Sequence, residues 1–99
     1  MSNETFGDYI KKARETMQLP LRKVAAHLDI DTSTLSKVER GDRPASPDYL
    51  KPLADILQLD LKEVQSKFIA DKINKDFGDM EHLTEGLKAA EQQIKKKKK

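Results

Sequence analysis

Apolar residues recur along this chain at spacings of three and four, the repeat that gathers them on one face of an α-helix, and strand-like alternation is nearly absent. Phe6, Ile10, Ala13 and Met17 form the first stripe. Thr5 followed by Asp8 three residues on reads as the capped start of that helix, which should end near Gln18. Pro20 is tolerated in a first helical turn, so a short second helix is expected directly afterwards with Leu21, Val24, Ala25 and Leu28 inward. Asp29-Ile30-Asp31 interrupts it as a three-residue turn. Asp31 then reads as the N-cap of a third helix that turns Leu35 and Val38 inward and stops at Gly41.

The stretch from Gly41 to Pro47 has the composition of a loop, and Ser46 before Pro47 is a helix start signal. Leu50, Leu53, Ala54 and Leu57 make the inward stripe of a fourth helix. Pro52 lacks an N–H, so this helix either begins late enough to hold Pro52 in its first turn or is locally irregular. Asp60 with Glu63 is a second pair of capping-box type, opening a fifth helix with Leu61, Val64, Phe68 and Ile73 on one side. Gly78 and Asp79 break it. Met80, Leu83, Leu87, Ala90 and Ile94 then repeat at 3, 4, 3 and 4, a heptad-like seam on a sixth helix. A lone helix of this length is marginal in water, so the seam calls for a partner: the fifth helix of the same chain, or the same helix of a second chain, with dimerisation slightly favoured.

Composition narrows what such a helical chain can do. Its 99 residues suit one domain, and 36% charged with 36% hydrophobic residues describe a soluble chain with a small core. The net charge of +2 comes from the terminal run Lys95 to Lys99; without it 14 basic residues face 17 acidic ones. Residues 1–60 hold nine basic and ten acidic residues, so any phosphate contact must come from a local basic face with a shallow salt dependence. The lysine run itself reads as a solvated tail without a site role. With no cysteine, disulfides and thiolate chemistry are excluded, and no membrane span or secretory signal is evident, which points to the cytoplasm.

An enzyme is not expected. His27 and His82 are the only histidines, lie far apart and have no metal-ligand spacing, so both read as solvated or structural. No glycine-rich loop could cradle a nucleotide phosphate, and the paired acids near helix ends are explained by capping. No metal, cofactor or small-molecule ligand is implied. The positive signal is the third helix. With Leu35 and Val38 inward, Thr32, Ser33, Ser36, Lys37 and Arg40 face outward or lie at its rim. Such a face can enter a DNA major groove, where hydroxyls, ammonium groups and the threonine methyl meet base edges. The plainer alternative is an ordinary capped surface helix, in which the hydroxyl residues serve the helix start.

The segment from Leu21 to Gly41, and most specifically Leu35-Ser36-Lys37-Val38-Glu39-Arg40-Gly41, resembles the helix-turn-helix of the phage-repressor-like, or XRE, family. The resemblance runs from about Phe6 to Val64. It implies an all-α, five-helix repressor-like domain, here with an additional C-terminal helix, that binds double-stranded operator DNA, usually as a homodimer on a palindrome. Position by position, it implies that Thr32, Ser33 and Lys37 contact bases. Thr34 and Ser36 match positions that more often touch the DNA backbone, and Arg40 with Arg43 in the following loop match positions that meet phosphate, joined by backbone amides near Gly41. Arg14 and Glu39 match an ion pair tying the first helix to the third. Two departures stand out: Pro20 and Leu21 occupy the places of the usual hydroxyl cap and glutamine of the second helix, and Asp29 stands where the turn often has glycine.

The expected organisation is a DNA-binding domain over residues 1–64, a helical extension for packing or dimerisation over 65–94, and the lysine tail 95–99. The expected function is that of a sequence-specific transcriptional regulator. The alternative is an antitoxin-like or adaptor module in which the extension grips a protein partner and DNA binding is secondary, a reading that draws on the missing glutamine, the near-neutral charge and the length of the extension.

Overall fold

In the computed structural model, which describes residues 4–98, the chain begins where its pattern predicts. The Thr5 hydroxyl accepts the Asp8 amide at 3.0 Å while the Asp8 carboxylate accepts the Thr5 amide at 3.2 Å, a complete capping box on α1, Phe6–Thr16. α2 (Leu21–His27), α3 (Thr32–Arg40), a 3₁₀ turn (Pro47–Tyr49), α4 (Leu50–Leu57), α5 (Leu61–Phe77) and α6 (Leu83–Lys97) follow, with no strand among the described residues. Pro20 is the N-cap of α2 and not its first residue. The 3₁₀ turn, capped by Ser46, takes up the irregularity at the next entry, so Pro52 sits in the first turn of α4 where its missing N–H is harmless.

One device ends each of the first four helices. Gln18, Asp29, Gly41 and Gln58 all adopt the left-handed conformation, with φ of 57°, 59°, 80° and 55°. In each case the next amide reaches five residues back: Leu19 to Arg14, Ile30 to Ala25, Asp42 to Lys37 and Leu59 to Ala54, at 2.9–3.1 Å. This is the Schellman arrangement, and an apolar residue at the reaching position normally folds back onto the helix. Leu19, Ile30 and Leu59 do so and pack against the core. Asp42 does not, and α3 alone leaves this turn with a charged residue.

The core draws on α1 to α5. Ile10, Val24, Ala25, Leu28, Leu35, Val38, Leu50, Leu53, Ala54, Leu57 and Val64 are buried, with Leu35 and Val64 at 0% exposure. Helix α1 packs on α3, α4 and α5, and α2 on α3 and α4. Gly7 permits the closest approach: a methyl group there would run into the carbonyl oxygens of Val38 and Glu39. The core continues past Val64, because Phe68 meets the Phe6 ring edge-on at a centroid separation of 5.5 Å.

Three expectations change at this end of the chain. Asp60 caps the Lys62 amide, but Glu63 does not complete a box; its carboxylate accepts the Tyr9 hydroxyl at 2.8 Å and so joins α5 to α1. Met80 lies in the turn before α6 and is not on that helix. Leu83, Leu87, Ala90 and Ile94 do share α6, yet α6 has no buried residue and is not among the packed helix pairs. Met80, Leu87 and Ile94 are 62%, 41% and 54% exposed.

Candidate nucleic-acid interface

The turn between α2 and α3 sets the aim of the outward helix. Leu28 is the last cap residue of α2, Asp29 supplies the left-handed step, and Asp31 is the extended N-cap of α3. The Asp31 carboxylate makes no capping bond, so the cap is positional and the first amides of α3 are not closed by a side chain. Leu35 and Val38 are buried beneath the helix, and Thr32, Ser33 and Lys37 are exposed on its other side. Thr34 and Ser36 are half-buried at the rim.

Arg40 and its surroundings are more constrained than the helical repeat implies. Its Nη1 donates to Ser36 Oγ at 2.7 Å and its Nε to Asp42 Oδ2 at 3.1 Å. The guanidinium is thus held between a hydroxyl one turn back and the polar residue that leaves the helix. Asp42 carried no expected role, although the spacing Ser36, Arg40, Asp42 places all three at one helix end. The amide of Gly41 is taken by Val38 and that of Asp42 by Lys37, leaving Gly41 an open Cα but no spare N–H for a phosphate. Arg43 is exposed in the following loop, beside a groove of about 370 Å³ floored by Phe6, Val38 and Phe68.

Beneath this surface, Arg14 and Glu39 fix α3 to α1. Arg14 Nε and Nη2 donate to the two carboxylate oxygens at 2.8 and 3.0 Å, and Nη1 donates to the Leu19 carbonyl at 3.0 Å. The fork engages both oxygens at once, which fixes rotation as well as distance. Its hydrogen bond to Glu39 raises the Arg14 pKa above the ordinary arginine value against the opposing effect of burial. Glu39, 6% exposed, is the buried charged side chain of the core, directly before Arg40 in the chain.

Elsewhere the described residues offer little site chemistry: no group of three or more His, Cys, Asp or Glu is placed to hold a metal, and no helix is long and apolar enough to cross a membrane. His27 and His82 are both exposed. Compared with known protein families, residues 10–64 match the model described as helix-turn-helix. No match was found among curated proteins or among solved structures.

Proposed function

The chain belongs to the helix-turn-helix family of the XRE, phage-repressor-like type, a family of DNA-binding regulators, and on that premise we propose that it is a sequence-specific transcriptional regulator acting as a homodimer on a palindromic operator in the cytoplasm. The observation that carries this reading is the two-sided α3: Leu35 and Val38 buried, Thr32, Ser33 and Lys37 exposed opposite them, and the helix locked in orientation by the Arg14–Glu39 fork.

In this reading α3 lies in the major groove. Thr32, Ser33 and Lys37 meet base edges, which supplies selectivity, while Thr34, Ser36, Arg40 and Arg43 sit toward the sugar–phosphate backbone, which supplies affinity. Two copies read two half-sites about 34 Å apart, one turn of the duplex. No bond is made or broken in the DNA.

The test compares duplex DNA flanking the protein's own gene with a random duplex of equal length, by gel shift. Lys37→Ala is expected to weaken binding to the flanking DNA about tenfold, the order of one lost base contact, and to leave random DNA nearly unchanged. Arg40→Ala should weaken both. Equal losses on both duplexes for Lys37→Ala would sink the base-reading role.

A further inference from the structure

The apolar side of α6 is exposed at Leu87, Ala90 and Ile94 and half-buried at Leu83. Leu83, Leu87, Ala90 and Ile94 line one side of the helix, and beside its start lies a hollow of about 480 Å³ lined by Phe77, Met80, Leu83 and Gly86 together with Glu81 and His82. Phe77 and Met80 are 46% and 62% exposed there. The stripe has a symmetry of its own. Its steps of four, three and four read the same in both directions, so a second α6 running the opposite way would match it in layers, Leu83 with Ile94 and Leu87 with Ala90.

Charge distinguishes the two directions. Asp79, Glu81 and Glu85 gather at the start of this segment, whereas Lys88 and Lys95 to Lys98 gather toward its end, with Glu91 the single acid among them and 3.8 Å from Lys95. A parallel pair would set lysine run against lysine run and acid against acid. In the antiparallel arrangement the acidic segment that leads into α6, Asp79 to Glu85, comes to the lysine-rich end of the partner helix, and the two helix dipoles oppose each other favourably. The same arrangement carries Ile94 and the alkyl stem of Lys97 over the hollow at Met80 and Leu83.

We propose that α6 is the pairing surface for a second copy of this chain, and that the two α6 helices associate antiparallel in the register that pairs Leu83 with Ile94. This deepens the dimeric reading above and rests on it. Four apolar positions per chain make a small seam beside the 1,200–2,000 Å² or so of stable interfaces, so the pair is weak by itself and is reinforced when both copies sit on one duplex.

The absence of cysteine makes a direct test simple. Leu83→Cys and Ile94→Cys are prepared as separate full-length proteins, one with a size tag, and mildly oxidised alone and mixed without DNA. Residues 83 and 94 are about 16 Å apart along a helix, too far for a disulfide between identical antiparallel positions. The expected result is a cross-linked species in the mixture only, with Thr84→Cys on the flank linking to neither. Self-linking of Leu83→Cys or of Ile94→Cys would overturn the antiparallel register. Sedimentation equilibrium of the unsubstituted chain, monomeric at every concentration up to about 1 mM, would overturn the pairing itself and leave the face to another protein. Because neither measurement contains DNA, failure here is distinct from failure of operator reading, which the gel shift reports separately.

Discussion

Helices α4 and α6 carry the same kind of stripe and meet opposite fates. Leu50, Leu53, Ala54 and Leu57 of α4 are all buried, whereas α6 fully buries no residue and half-buries only Leu83 of its stripe. The difference lies less in the stripes than in what meets them: α4 packs on α1, α2 and α5, and α6 is not among the packed helix pairs. Helices α1, α2 and α4 end in a left-handed residue followed by an apolar one that folds back onto the core, so the chain is returned to the packed unit each time. At the end of α5 Gly78 keeps a right-handed conformation, with φ −58°, and no apolar residue turns back. A periodic stripe therefore predicts a face, but not whether that face meets its own core.

The largest effect expected from testing this contrast is a matched truncation. Leu53→Ala should lower unfolding stability by about 3 kcal/mol, and Leu87→Ala by no more than about 0.5 kcal/mol when the chain is dilute enough to be monomeric. Urea denaturation measures both; equal costs would erase the distinction between the two regions. Next in size is Arg14→Ala, expected to cost about 2–3 kcal/mol, somewhat below a fully buried pair because the Arg14 side chain keeps 13% exposure. An unchanged melting midpoint would mean that α3 is held by apolar packing alone.

The smallest effect concerns the junction of the packed unit with α5. Burial, reinforced by the hydrogen bond to Glu63 and the charge of its carboxylate, pushes the Tyr9 phenol far above its ordinary pKa. The folded chain then keeps a proton that the unfolded chain releases near pH 10, so this group's contribution is present below about pH 10 and is lost as pH rises further. Replacing Tyr9 by Phe should flatten the fall in stability between about pH 10 and 12, read as melting temperature against pH relative to the parent chain. Parallel curves for the two proteins would show that the Tyr9–Glu63 bond does not couple α1 to α5.

Much of the fold was legible because it depends on near neighbours. The capping box at Thr5 and Asp8, the start at Ser46 and the glycine end of α3 each involve groups a few residues apart, and the stripes follow from the helical repeat. What escaped depends on partners distant in sequence or on residues with no special chemistry. Gly7 reads as an ordinary helical glycine until α3 is laid across it. Gln18 and Gln58 lack the glycine signal for a left-handed end, and the sign was the leucine that follows each. Glu63 looked like half of a capping box but finds Tyr9, 54 residues earlier. At the site, the outward face of α3 was legible from periodicity, and the hold of Asp42 on Arg40 was not, because it arises only when the helix ends with a polar residue where its sister turns carry an apolar one.

That polar exit has a consequence for binding. The free protein already supplies Arg40 with an anion, the Asp42 carboxylate, on the ground where a phosphate would come. In the proposed reading, a phosphate that takes Arg40 through Nε would displace this exposed partner, exchanging one negative neighbour for another and adding less net attraction than an unattached arginine would. Such a competition would weigh on random duplexes and operator alike, and would leave discrimination to contacts that Asp42 cannot imitate, those made to the bases.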